Sequence, residues 1–220
     1  MPPPTKACCA HDHDCESADC GVAYSLYKHI STDQVRCLNE QVVGSCRTVL
    51  RPWSDRLQPP PAPGPLRSNP DDEEQELLLH IPFDGAVKLK AISLISAGPP
   101  GTAPARMRAF VNRDDLDFAG AASLPPVQEW ELAPDGDVRG VIEYPTQVAR
   151  FTGVHCLDLL ISGAGAGAGS EAVVEVHFLG LKGEFAERRR QAVEAVYEAR
   201  PVPGDQPRIP GIGEGAHWHS

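Results

Sequence analysis

Proline and glycine punctuate this sequence more tightly than a helical protein tolerates. Twenty-two prolines and 20 glycines stand among 220 residues. Proline fixes φ and removes a backbone donor, and glycine adds backbone freedom that a helix interior must suppress. What lies between them alternates instead. Val87-Lys88-Leu89-Lys90-Ala91-Ile92 and Arg106-Met107-Arg108-Ala109-Phe110-Val111 both switch face at every residue, the period of a half-buried strand. Further strands are expected at Leu77–Ile81, stopped by Pro82, and at Gln128–Leu132, Val138–Tyr144, Val154–Ser162 and Ala172–Leu179. Turn residues separate them at intervals of roughly ten to twenty positions, the spacing of an antiparallel sandwich or barrel. The expected fold class is therefore all-β.

The two ends differ from this body. Residues 1–20 contain no Leu, Ile, Val, Phe, Tyr or Trp, so they have nothing to bury and are expected to form a disordered, Cys/His-rich tail. Apolar side chains begin after Gly21, and Ser31-Thr32-Asp33 offers capping or turn residues. Residues 201–220 are polar and rich in Pro and Gly, a flexible C-terminal tail by the same reasoning. Within the body, residues 58–70 hold six prolines, a segment expected to run as a surface loop outside any ladder. Gly163–Gly169 alternates Gly and Ala and reads as a hairpin loop. Phe185–Ala199 is ambiguous: Ala186–Ala192 favours helix, whereas Val193, Ala195 and Tyr197 alternate as in a strand.

Charge and cysteine usage narrow the function. Thirty acidic against 20 basic residues give a net charge of −10, the wrong sign for gripping nucleic acid through its phosphates. No apolar run approaches the roughly 20 residues of a membrane span, and no apolar leader core precedes the body. Seven cysteines, an odd number, crowd toward the N-terminus, and no Asn-x-Ser/Thr site occurs. Reduced thiols in a soluble cytoplasmic protein, with access to the nucleus, are the expectation.

Catalytic motifs are missing. There is no Gly-x-Ser-x-Gly elbow, His-Glu-x-x-His helix or P-loop. The Gly/Ala run fails the Gly-x-Gly-x-x-Gly spacing at Ala168. His80, His155 and His177 read as half-buried sheet residues and Cys156 as a packed thiol. No acid–base pair can be nominated, so the chain is not expected to be an enzyme, and no cofactor is expected beyond a metal on the tails. Cys8, Cys9, His11, His13, Cys15 and Cys20 offer thiolate and imidazole donors suited to Zn²⁺ or Cu(I). They contain no Cys-x₂-Cys pair. His217-x-His219 lies beside the terminal carboxylate and could enter another protein's metal site. Arg188-Arg189-Arg190 forms a basic patch on an acidic chain, suited to an acidic partner.

Several segments taken in order resemble the PITH domain, the module named for proteasome-interacting thioredoxin-like proteins. They are Val35-Arg36-Cys37-Leu38-Asn39-Glu40, then Leu50-Arg51-Pro52-Trp53-Ser54-Asp55-Arg56, then Glu76-Leu77-Leu78-Leu79-His80-Ile81-Pro82-Phe83 after an acidic run. Val87-Lys88-Leu89-Lys90 follows, then Arg108 to Phe118 with Asn112, then Gly180-Leu181-Lys182-Gly183-Glu184-Phe185, running on to Tyr197-Glu198-Ala199. The resemblance spans about residues 21–200. It implies a jelly-roll-like antiparallel β-sandwich similar to galactose-binding domains, with a strand near Gln191–Tyr197. It also implies association with the 26S proteasome. Family members that carry a thioredoxin domain have a Cys-x-x-Cys pair, which this chain lacks, so redox catalysis does not carry over.

The resulting expectation is a non-catalytic protein-interaction module. Trp53 and Phe118 are its candidate aromatic anchors, with Arg188, Arg189, Arg190, His217, Trp218 and His219 as further partner contacts. If the partner is the proteasome, His217 or His219 could cap the metal of its zinc-dependent deubiquitinase. The alternatives are a small-ligand or glycan-binding β-sandwich and a metal-binding protein working through the Cys/His tail.

Overall fold

The alternating segments pair into antiparallel strands wrapped around one shared core. The computed structural model describes residues 24–71, 75–134, 136–164 and 173–186. Nine strands occur among them: β1 (Arg36–Leu38), β2 (Leu66–Arg67), β3 (Glu76–Ile95), β4 (Pro104–Val111), β5 (Gln128–Glu131), β6 (Tyr144–Pro145), β7 (Thr152–Ala164), β8 (Glu175–Val176) and β9 (Phe178–Ala186).

β3 organises the fold. Its first half lies between β1 and β7, and its second half pairs with β9 and touches β6. Between the halves the register with β7 shifts, after Pro82 and again after Val87. Such bulges bend a strand and let it pass from one layer to another. β4 lies on the far side of β7 and β5 on the far side of β4. Leu77, Leu79 and Ile81 from the first half bury in the same cluster as Leu89, Ile92 and Leu94 from the second, with Leu157, Leu159, Ile161, Leu179 and Leu181. Two layers facing one core make an antiparallel β-sandwich of jelly-roll type, as expected.

The burial pattern explains why the two halves of β3 read differently. Lys88 and Lys90 are only partly buried between the buried Val87 and Leu89, so one face of this half meets solvent. In the first half Leu77 to Ile81 are all buried, because a second, smaller cluster covers the outer face. That cluster holds Leu78, Phe110, Ala121 and Leu160, with Leu116, Phe118 and Leu124 packed on it. The short helix Phe118–Ser123 supplies this cover, and Asp117 caps it by accepting the Gly120 N–H at 2.6 Å.

Five expectations are corrected. Pro82 does not stop a strand: β3 runs through it, opposite Cys156. A proline at a bulge leaves no ladder bond broken, and its carbonyl accepts the Ser31 N–H at 2.9 Å. The Pro-rich 58–70 segment is not all surface loop, since Leu66 and Arg67 pair with Val176 and Glu175, and Leu66 is fully buried. Val138–Tyr144 is not a strand. The buried Asp137 carboxylate takes the N–H of Arg139 at 3.1 Å and of Ile142 at 2.6 Å, which turns the chain before Tyr144 can pair. His155 is exposed rather than half-buried. The strand expected at Ala172–Leu179 begins at Glu175 and continues, after a break at His177, to Ala186. The ambiguous stretch beyond Ala186, the Gly/Ala run beyond Ala164 and the strand implied near Gln191–Tyr197 lie outside the described residues.

His177, between β8 and β9, gives this region a pH dependence. Its Nδ1 accepts the Ala97 N–H at 3.1 Å, and its Nε2 lies 3.2 Å from Glu175 Oε1. Neutral imidazole donating at Nε2 satisfies both contacts, whereas a proton on Nδ1 would face a donor. Burial holds its pKa below the ordinary 6.5, against the raising effect of Glu175. The unfolded chain therefore takes up this proton first as pH falls. His177's contribution is fully present above the ordinary histidine range and declines as pH drops through it toward the lowered value. Urea unfolding at about pH 7.5 and about pH 5.5 should show a smaller loss of stability on acidification for His177→Gln than for the parent chain.

Candidate functional site

Two groups of side chains stand out on this scaffold. The first lies on the outer face of the sheet, beside the small apolar cluster. Antiparallel register sets His80 opposite Asp158 and Pro82 opposite Cys156, and period two puts Cys156 and Asp158 on one face of β7. His80 Nδ1 meets Asp158 Oδ1 at 2.7 Å. The other carboxylate oxygen, Oδ2, is buried and has no hydrogen-bond partner. Cys156 Sγ lies 3.4 Å from the Arg113 carbonyl and 3.5 Å from Asp114 Oδ1. Arg36, opposite His80 on β1, donates to the Asp114 carbonyl. Donor atoms of His80, Cys156 and Asp158 all fall within 4.8 Å of one another.

The electrostatics of this cluster disfavour nucleophilic chemistry. Burial pushes the Cys156 thiol up to about 11, and the charges of Asp158 and Asp114 push the same way. A nucleophilic cysteine needs the reverse, a thiolate stabilised near neutral pH. Burial also raises the Asp158 carboxyl, while the hydrogen bond and charge of His80 and the charge of Arg36 oppose it. Reading from sequence treated His80 and Cys156 as separate packed residues. Only the phase of Cys156-x-Asp158 hinted that two of these donors share a face. The register that adds the third is a property of the pairing.

The second group is a corner where three segments meet. Trp53 is buried with Ile95 and Phe178. Its ring stands edge-on to Phe178, with centroids 5.9 Å apart and planes at 69°. Lys182 Nζ sits 4.0 Å above the Trp53 ring and the Arg56 guanidinium 4.8 Å from it. Lys182 is also ion-paired with Glu143. Gly140, at φ +65°, packs against Ile95 and Arg56 where a Cβ would collide with Ile95, so the loop carrying it approaches the segment that holds Trp53 and Arg56. On these two segments Leu57, Val138, Val141 and Ile142 are exposed, four of the seven exposed large hydrophobic residues among those described.

The expected anchors are thus placed. Trp53 is at the corner, buried, with two cations over its ring. Phe118 is half-buried at the start of the short helix, about the small outer cluster. Arg188, Arg189, Arg190, His217, Trp218 and His219, and the metal candidates Cys8, Cys9, His11, His13, Cys15 and Cys20, lie outside the described residues. Sequence reading missed Leu57 and the 138–142 loop, which it took for a strand. Among the described residues Cys37, Cys46 and Cys156 are free thiols, and no helix is long and apolar enough to cross a membrane.

Fold and side chains together define a β-sandwich with an apolar, cation-rimmed corner and a buried His/Cys/Asp cluster. The family model of the PITH domain matches residues 16–201, and the chain belongs to that family. It is 35% identical over 215 residues to PITH domain-containing protein 1 of Homo sapiens, covering 96% of this chain and 94% of the relative. The protein of that name from Danio rerio is 36% identical over 191 residues, covering 86% and 84%. That from Dictyostelium discoideum is 33% identical over 193 residues, covering 87% of each. Among solved structures, the chain is similar to the CBM32-3 module from a family 31 glycoside hydrolase of Clostridium perfringens. The identity is 11% and the TM-score 0.47, over 74% of this chain and 97% of the other. A fucolectin from striped bass serum gives 10% identity and a TM-score of 0.44, over 74% and 50%. Nothing about a ligand follows from likeness of that degree.

Proposed function

We propose that this chain is a non-catalytic interaction module that docks on a larger protein assembly, and that the assembly is the 26S proteasome. The observation that carries the docking reading is the corner at Trp53. Two loops that carry exposed apolar side chains meet beside the packed Trp53 and Phe178 rings, and cations lie over the Trp53 ring. Interfaces take this form, with aromatic and Arg anchors at the centre and a polar rim. Arg56 and Lys182 bring cations to this corner, Lys182 shared with Glu143, on a chain whose net charge is −10, and a local cation on an acidic chain fits an acidic partner surface. Membership of the PITH family supports the choice of partner. In this reading Arg188, Arg189 and Arg190 are a separate basic contact to the partner, and His217, Trp218 and His219 a C-terminal one. Phe118 serves the fold first. The protein works where proteasomes do, in cytoplasm and nucleus.

Pulldown from native lysate at low salt, with subunit-level crosslinking, tests the proposal. The full chain should recover proteasome subunits. The double variant Leu57→Asp, Val141→Asp should recover them about tenfold less well, the ~1.4 kcal/mol of a modest hot spot, with an unchanged melting temperature. Absence of proteasome subunits with the parent chain rejects the partner. Equal recovery by the double variant rejects the corner.

A further inference from the structure

We propose that His80, Cys156 and Asp158, joined by Asp114, form a binding site for a divalent ion of zinc's type. The inference is independent of the docking reading, since the cluster and the Trp53 corner share no residue.

The donor set comes first. An imidazole, a thiol and a carboxylate converge from two adjacent strands, and a second carboxylate reaches the thiol from the loop after β4. Nitrogen, sulfur and oxygen donors in one tetrahedral shell are zinc's ordinary company. With bonds of ~2.0–2.3 Å, tetrahedral ligand atoms lie about 3.3–3.8 Å apart. The pair His80–Asp158 stands closer than this at 2.7 Å, Cys156–Asp114 stands at 3.5 Å, and the widest separation among the three buried donors is no more than 4.8 Å. Side-chain shifts of about an ångström bring the three buried donors to bonding separations, with Asp114 beside the sulfur as the fourth.

An independent observation points to an occupant. Asp158 is only 2% exposed, yet its Oδ2 has no hydrogen-bond partner. A buried carboxylate oxygen left unmatched costs free energy that native folds seldom tolerate without a use. A cation held by His80 Nδ1, Cys156 and the Asp158 carboxylate supplies that missing partner when the carboxylate turns Oδ2 toward it, and it displaces any proton from Nδ1. The ring carries its proton on Nε2, so neutral imidazole ligates through Nδ1. The Cys156 thiol gives its proton to solvent and ligates as thiolate. One proton is thus released for each ion bound, and no bond is oxidised or reduced. Asp114 is exposed and lies 3.5 Å from the Cys156 sulfur, so one donor of the set meets solvent.

The test uses the full chain with Cys8, Cys9, Cys15 and Cys20 changed to Ser, so that the N-terminal segment contributes no thiolate. Titration with Co²⁺ should saturate at one equivalent, giving the intense visible bands of a tetrahedral ion and a thiolate-to-cobalt absorption. One equivalent of Zn²⁺ should abolish both. Cys156→Ser should remove the thiolate absorption. Asp114→Asn, at an exposed position that leaves the fold intact, should weaken Co²⁺ binding about tenfold, in the range seen when groups around a metal are altered. A folded chain that shows no thiolate–cobalt absorption at one equivalent overturns the proposal. So does absorption that persists in Cys156→Ser, which would place the ion on Cys37 or Cys46. Should Cys156→Ser fail to fold, the parent titration and Asp114→Asn decide the matter.

Discussion

Gly183→Ala should destabilise the chain by about 3 kcal/mol or more, the upper end of what overpacking costs. The reason is a backbone contact. A Cβ on Gly183 would lie 2.2 Å from the Lys88 carbonyl oxygen and 3.1 Å from the Leu89 Cα. Gly183 sits opposite Leu89, where the β3–β9 register shifts before Ala91. On its other edge its N–H donates to the Tyr24 carbonyl at 2.8 Å. β9 is therefore held from both sides and cannot retreat from the new methyl. A side chain can turn aside, but a carbonyl in a ladder takes its strand with it. For a domain whose total stability is about 5–15 kcal/mol, this is a large share. Gly153→Ala is the control. It lies in β7 at φ +73°, with nothing within 4 Å of its Cβ. It should lose only the ~1 kcal/mol of placing alanine in the left-handed region. Urea midpoints should rank the parent first, then Gly153→Ala, then Gly183→Ala. Equal midpoints for the two variants would show that the close approach is relieved at little cost.

Phe178→Ala should cost about 3–5 kcal/mol, the usual range for removing a buried phenylalanine. Phe178 has no exposed surface. It forms the wall against which Trp53 stands, and the Arg51 guanidinium lies 5.8 Å from its ring centre. Gly180 belongs to the same packing, since a Cβ there would meet the Phe178 ring at 2.8 Å and the Trp53 ring at 3.2 Å. Truncation would leave a cavity beneath Trp53 that these neighbours fill only in part. Two readouts should therefore fall together. Thermal or urea unfolding should show the stability loss, and proteasome recovery should drop even under conditions where the variant is folded. The double variant at Leu57 and Val141 should lose recovery alone. If Phe178→Ala lost stability but docked normally, the contact would not depend on the base beneath Trp53.

Much of the architecture was legible in the residues. Arg106–Val111 and Val87–Ile92 alternate because one face is buried and the other meets water, and both are strands. Gln128–Leu132 and Val154–Ser162 were placed within two residues of β5 and β7. The motifs that resemble the PITH domain matched because steric needs at single points fix residue types. Gly180 and Gly183 are two such points, forced by a ring and by a carbonyl. Trp53 could be nominated as an anchor from its type. Its cations, Arg56 and Lys182, come from positions far apart in the chain.

Where reading along the chain failed, a long-range partner had changed the meaning of a local signal. Pro82 looked like a strand end but occupies a bulge. Leu66 and Arg67 looked like part of a proline-rich loop until β8 paired with them. Val138–Tyr144 has strand propensity, but the Asp137 carboxylate takes the backbone donors a ladder would need. Local pattern determined which residues form strands and which of them share a face, because side chains alternate with a period of two whatever lies beside them. It could not determine which strand lies opposite. The pairing of β3 with β7 joined His80 to Asp158 and Cys156, and the approach of the 138–142 loop to Arg56 made the corner. Both were decided by tertiary structure, since register and loop contact depend on residues that the chain brings near only after it has folded.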